Sequence, residues 1–401
     1  MATKGRILFV DDDPKDLAEM CAQADLLGAD WEREFADSAE AGLLAFAREP
    51  FNVVVADLRM PRMDGAAFLQ EVMARFPATL RLLLAEDSDR ATAVQNLARA
   101  HQFLAKPCDI AYLRSVIDFT YRQGRRVGND HVRELVARIG QLPAVPDLYR
   151  QITELLDSDR GSVDQLGEVI AKDMAMTAMI LKLANSAFFS LRQPVTSAAE
   201  AVSYLGADLL KALVLAHGLF GQVGAFRIPT FTIHHLWQHS LAVGSISRRI
   251  AQLEELGLQR ANECFTAGLL HDIGILILAS RFPEDYAKVL DLNRRSGGDP
   301  ETSEYHVFGV THGEVGAYLL ALWGIPEPVV QAAAHHHAIS RQAVRGFSAA
   351  LAVHVADYLC VSNPGHDIFT RARLDLGYLG ELGLAGRMTD WQTASAHLGN
   401  A

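Results

Sequence analysis

The stretch that most constrains this chain is Val53-Val54-Val55-Ala56-Asp57-Leu58-Arg59-Met60-Pro61. An unbroken, largely β-branched apolar run ends in a carboxylate and is followed by a proline-containing loop. This predicts a strand buried on both faces with Asp57 at its carboxyl end. Open α/β sheets bind ligands outside that end of their strands, so Asp57 is a metal ligand, a nucleophile, or both. The surrounding sequence alternates in kind. Strands are expected over 6–10, 31–35, 53–57, 80–84 and 103–105, and helices over 14–27, 39–48, 66–75, 91–99 and 110–122. Pro14 suits a first helical turn and Ser38 a helix cap. The expectation for 1–122 is a doubly wound, five-stranded parallel α/β domain.

Charged residues close several of these strands: Asp11 and Asp12, then Asp57, then Lys106 before Pro107. Carboxylates gathered at one sheet edge repel each other, and a divalent cation relieves the repulsion. Oxygen donors of this kind suit Mg²⁺. With the metal bound, Asp57 can attack a phosphoryl group whose equatorial oxygens are neutralised by Mg²⁺ and Lys106.

Residues 5–122 resemble a two-component receiver domain. The motifs are Val10-Asp11-Asp12-Asp13-Pro14, Asp57-Leu58-Arg59-Met60-Pro61-Arg62-Met63-Asp64-Gly65 and Phe103-Leu104-Ala105-Lys106-Pro107. The resemblance implies that Asp57 takes phosphate from a histidine kinase. It implies that Asp12, Asp57 and the carbonyl of Arg59 hold Mg²⁺, with Asp11 acting through water, that Lys106 binds the phosphoryl group, and that the Lys106–Pro107 bond is cis. Phe103 falls at the family's switch aromatic. The other switch position, usually Thr or Ser, is Ala85 here, followed by Glu86 and Asp87. Phosphorylation of Asp57 is therefore expected to survive while its coupling to the switch is weakened or rewired.

A basic connector, 123–140, contains Arg125, Arg126, Arg133 and Arg138. It reads as a solvated linker, with a dimerising or signal-transmitting helix as the alternative. From Leu142 the strand pattern gives way to amphipathic segments near 147–157, 162–172, 174–187, 196–204, 207–222, 233–254, 261–280, 313–322, 326–338 and 346–361. The expectation is an all-α domain over 141–361, leaving 362–401 as an extension of unassigned role. Leu142-Pro143-Ala144-Val145-Pro146, Ile170-Ala171-Lys172-Asp173, Ile180-Leu181-Lys182-Leu183-Ala184-Asn185-Ser186 and Ala201-Val202-Ser203-Tyr204-Leu205-Gly206 resemble an HDOD domain. That resemblance implies a non-catalytic output module related to HD-type metal-dependent phosphohydrolases. His239, His271-Asp272, His312, His336-His337 and Asp357 follow the ligand order of such a phosphohydrolase. Imidazoles and carboxylates suit a transition metal, Asp272 could bridge two, and such a pair could activate water. Two features of the catalytic relatives are missing. No Gly-Tyr-Pro follows the histidine pair, and Ile275 stands where Lys often follows His-Asp-Ile-Gly.

A net charge of −11 (37 basic, 48 acidic residues) argues against wholesale nucleic-acid binding. No uninterrupted apolar run approaches the ~18 residues that span a bilayer. Cys21, Cys108, Cys264 and Cys360 are scattered, as reduced thiols of a cytoplasmic protein would be. The chain thus reads as a cytoplasmic response regulator whose HDOD output binds downstream proteins without catalysis. The alternative is a receiver-gated, metal-dependent phosphohydrolase acting on a substrate such as a cyclic dinucleotide. A homodimer through the connector stays open.

Overall fold

The computed structural model describes residues 5–89, 100–107, 110–127, 162–185, 193–215, 232–296, 300–342, 345–361 and 373–395, with isolated positions between them. Outside these lie most of the expected helix over 91–99, Cys108, most of 128–161, Ser186, His217, His366 and His397.

The N-terminal unit is β1 (Gly5–Val10), α1 (Pro14–Gln23), β2 (Trp31–Ala36), α2 (Ala39–Arg48), β3 (Val53–Asp57), α3 (Gly65–Arg75), β4 (Leu80–Ala85), β5 (Gln102–Ala105) and α4 (Ile110–Val127). All strand pairs are parallel, in the order β2-β1-β3-β4-β5. Every residue of β3 and β4 is buried, as a sheet covered by helices on both faces requires. Ser38 caps α2 by accepting from the Ala41 amide, and Asp64 caps α3 from Ala67. A Cβ on Gly65 would lie 1.9 Å from the Asp57 carbonyl oxygen. Only glycine lets α3 start this close to the end of β3. The helix expected over 14–27 ends earlier, and a 3₁₀ turn, Ala24–Leu27, completes it.

The C-terminal unit is helical: α5 (Val163–Ile170), α6 (Met174–Ala184), α7 (Ala198–Leu215), α8 (Ile233–Leu253), α9 (Gly257–Leu270), α10 (Ile273–Arg281), α11 (Pro283–Ser296), α12 (Pro300–Phe308), α13 (His312–Leu322), α14 (Glu327–His335), α15 (Ala349–Val361), α16 (Leu376–Glu381) and α17 (Met388–Ser395). Its described strand pairing is Leu142–Pro143 beside Phe220–Gly221. The single helix expected over 261–280 is two. The apolar pattern runs on across His271-Asp272, but the backbone leaves the helical region at Asp272 (φ −98°, ψ 16°). Helices α11 and α12 were not expected. Each starts at a proline, and α11 is held by Glu284 and Asp285 in its first turn and Arg294 and Arg295 in its last, which oppose the helix dipole. The stretch Gly257–Arg281 is long and apolar enough to cross a membrane, but 83% of its most apolar window is buried in the domain. The run thus forms core, as two helices.

The two units meet along β5, α4 and the carboxyl end of α13. Gln102 Nε2 donates to Thr120 Oγ1 (2.8 Å) and to the Leu322 carbonyl (3.4 Å). Lys182, on α6, donates to the Ala100 carbonyl at 2.7 Å and holds its ammonium 5.0 Å from the Trp323 ring centroid. Burial, reinforced by the charge of Arg81, pushes the Lys182 pKa well below its ordinary value. Lys182→Ala removes the stem and leaves a buried carbonyl without this donor. It is expected to cost about 2–4 kcal/mol and to speed amide hydrogen exchange in β5 and the last turn of α13. Unchanged exchange would show that Lys182 does not hold the seam.

Candidate functional site

In the N-terminal unit, β1, β3 and β5 deliver Asp11, Asp57 and Lys106 to one edge of the sheet. Ligand oxygens of Asp11, Asp12 and Asp57 lie within 4.8 Å of one another; Asp11 and Asp57 are buried and Asp12 is exposed. This spacing of carboxylate oxygens fits a Mg²⁺ ion. Lys106 Nζ lies 2.7 Å from Asp57 Oδ1, 2.7 Å from Asp11 Oδ2 and 2.9 Å from Asp16 Oδ2. Asp16, on α1, was not expected there; its sequence signal is only that of an acid in a first helical turn. Burial, with Asp11 adding to it, raises the Asp57 pKa to about 6 against the pull of Lys106. Burial opposes the charge on Lys106, yet the hydrogen bonds it donates to Asp11, Asp57 and Asp16 carry its pKa above the ordinary value. The Lys106–Pro107 bond is cis.

The Arg59 amide donates to Asp57 Oδ2 at 2.8 Å, while its guanidinium pairs with Asp89 (Nε to Oδ1, 2.8 Å) beyond β4. Asp89 is buried. This pair ties the loop after Asp57 to the loop after Ala85. Ala85 is buried at the end of β4, paired with Ala105, and Phe103 is buried in β5.

In the helical unit, all seven expected ligands converge. His239 comes from α8, Asp357 from α15, His312 from the start of α13, and His336-His337 from the end of α14. His271 and Asp272 come from the break between α9 and α10. Asp272 Oδ2 lies 3.2 Å from His271 Nε2 and 3.5 Å from His239 Nε2, while Oδ1 lies 3.4 Å from His312 Nε2 and 3.5 Å from His336 Nε2. One carboxylate therefore faces two imidazole pairs. Asp357 is 3.2 Å from His239 Nε2 and 3.9 Å from His337 Nδ1. Close packing of α10 on α13 holds this geometry, since a Cβ on Gly274 would sit 1.9 Å from the His312 carbonyl oxygen.

Four rings are tied from outside through Nδ1. His271 bonds the Gly268 carbonyl (2.6 Å), His336 the Ala333 carbonyl (3.0 Å), His312 the Glu304 carboxylate (2.7 Å), and His239 the Cys360 thiol (3.6 Å). Each Nε2 is thereby aimed inward, as a metal-binding imidazole requires. The Nε2 atoms of His239, His271 and His337 and both oxygens of Asp272 are buried and face one another without a well-aligned hydrogen bond. Buried polar atoms are ordinarily satisfied, so a converging set of them fits a metal. Burial opposes the Asp272 charge, but His271, His336 and His312 pull its pKa well below the ordinary carboxylate range. Burial also opposes charge on His312, yet Glu304 and then Asp272 push its pKa up to about 10. Two residues were missed in the sequence. Glu304 is one of two acids in a short, weakly patterned helix. His354, one helical turn before Asp357, bonds the His336 carbonyl at 2.6 Å and accepts from the Asp375 amide.

The sequence profile of the response regulator receiver domain matches residues 7–118, and that of the HDOD domain matches 142–339. An uncharacterized protein of Treponema pallidum is 27% identical over 210 residues, 50% of this chain and 38% of its own length. The transcriptional regulatory protein ZraR of Salmonella typhimurium is 32% identical over 157 residues, 38% of this chain and 35% of its own. The chain thus spans little more than a third of either relative. The crystal structure of a virulence factor from Campylobacter jejuni shares the fold, with a TM-score of 0.50 at 15% identity, over 71% of this chain and 97% of that one. Joining an α/β receiver domain to an all-α HDOD domain, the chain belongs to the response regulators with an HDOD output.

Proposed function

We propose that Asp57 accepts a phosphoryl group from a histidine kinase in the presence of Mg²⁺. The change then reaches a largely non-catalytic HDOD domain that binds downstream proteins in the cytoplasm. The observation that carries this reading is the Asp11–Asp12–Asp57 carboxylate set closed by Lys106. Asp57 supplies the attacking oxygen, Lys106 neutralises phosphoryl oxygens, and a bound Mg²⁺ supplies the remaining positive charge. Incubation with acetyl phosphate and Mg²⁺ should give a base-labile phosphoryl group on Asp57, and hydrogen exchange should change at the β5–α13 seam. Because Ala85 offers no hydroxyl to follow the phosphoryl group, Ala85→Thr should leave the extent of phosphorylation unchanged and enlarge that response. An equal response in both proteins would clear Ala85 as the weak link. Absence of the adduct would overturn the reading.

A second reading is supported by the inward-facing, unpartnered atoms around Asp272. The HDOD domain would hold one or two transition-metal ions, with His239, His271 and Asp357 on one side of Asp272 and His312, His336 and His337 on the other. Bound metal would supply Lewis acidity and an acidified water. The enclosure of these residues, 0–2% exposed for His239, His271, Asp272, His312, His336 and Asp357, favours a structural or sensing metal over turnover of a phosphodiester. Metal analysis of the purified protein decides it.

A further inference from the structure

We propose that Glu304 is a positioning residue of the HDOD metal centre, fixing His312 so that its Nε2 lone pair faces the metal. This rests on reading the His–Asp cluster as a metal centre. Glu304 lies on α12, eight residues before His312, and is fully buried. One oxygen, Oε2, accepts both from the His312 backbone amide and from its ring Nδ1, each at 2.7 Å. The other, Oε1, accepts from the Tyr286 hydroxyl at 3.3 Å. A carboxylate this far from water persists only when it is paired.

Holding the amide and the ring of one residue on one oxygen fixes the rotation of the imidazole as well as its place at the head of α13. With Nδ1–H donated outward, Nε2 is the atom that gives up its proton to a metal and binds it through its lone pair. That atom lies 3.4 Å from Asp272 Oδ1 and 3.2 Å from His336 Nε2. Two imidazole nitrogens and a carboxylate oxygen then converge on one point. A carboxylate behind a ligating histidine also makes the ring a better donor. A residue that merely capped α13 would need an acceptor oxygen but no negative charge.

Glu304→Gln separates the two roles, since the amide keeps the shape and an acceptor oxygen but loses the charge. The test is Co²⁺ titration of metal-free protein, followed by ligand-field absorption, beside thermal unfolding in chelator. The expected result is Co²⁺ affinity lowered about 10–100-fold, beside a lowered metal-free melting temperature at neutral pH, where Glu304 also pairs the ring of His312. If both proteins bind Co²⁺ equally, the role of Glu304 is overturned while the metal centre stands. If the wild-type protein binds none, the metal centre falls and this inference with it. If Glu304→Gln loses Co²⁺ affinity only where its metal-free form is already unfolded, and binds as wild type where it is folded, Glu304 is a brace and the inference fails. Should that variant not fold, Tyr286→Phe, which removes the donor to Oε1 and leaves Oε2 on His312, must still lower Co²⁺ affinity several-fold; unchanged affinity would overturn the proposal.

Discussion

Asp57→Asn should abolish phosphorylation and, in metal-free protein, raise the melting temperature. The first effect is complete, because the nucleophilic oxygen of an acyl phosphate is gone. The second follows from electrostatics. Asp57 is 5% exposed and stands beside Asp11; despite Lys106 its pKa rises from 3.8 to about 6. A carboxyl whose folded pKa exceeds its unfolded one costs stability when ionised. The cost is absent below about pH 4, grows as the pH rises to about 6 and is constant above. At pH 7 the neutral amide should therefore gain about 1–3 kcal/mol. Lys106 keeps Asp11 and Asp16 as partners in the variant. Mg²⁺ should erase the difference, since it stabilises only the protein that keeps the carboxylate set intact. Thermal unfolding at pH 4 and pH 7, with chelator and with Mg²⁺, measures all of this. A variant that melts lower than wild type at pH 7 in chelator would show that Lys106 pairing outweighs the burial of Asp57.

Asp272→Asn should strip the HDOD domain of metal. Protein purified without chelator and without air is expected to carry one or two equivalents of transition metal, and the variant none. The loss is larger than at any other position because this carboxylate alone faces both imidazole pairs, Oδ2 toward His239 and His271 and Oδ1 toward His312 and His336. Affinity should fall by more than the ~100-fold that an outer partner carries. The metal-free variant should also be weakened by about 3–5 kcal/mol, since the histidines lose a buried counter-charge. Metal analysis and unfolding in chelator separate the two effects. Wild-type protein that arrives empty and refuses Mn²⁺ and Fe²⁺ would leave these histidines a structural role alone.

Much of this was readable in the sequence, for a physical reason. A strand buried on both faces is written as an unbroken apolar run, so β3 and β4 and the residues at their ends stand out. The residues that converge in the helical domain were legible as an ordered set of histidines and acids. What escaped was whatever the chain expresses only in three dimensions. Across Phe265 to Ala279 the apolar pattern does not falter, so nothing marks the break that aims His271 and Asp272 at one centre. Glu304, Asp16 and His354 act through partners supplied by other elements, and no local pattern marks them. The seam is the extreme case: Gln102 and Leu322 are 220 positions apart.

Helix α13 begins with His312 in the His–Asp cluster and ends at Leu322, whose carbonyl takes a hydrogen bond from the receiver sheet. Eleven helical residues make a rod of ~16 Å, and a rod that slides or tilts at one end does so at the other. Linkage then imposes a symmetry. Whatever factor a ligand at the receiver end applies to metal affinity, the metal must apply to that ligand in return. A cell's metal supply and its kinase would thus be two hands on the same lever.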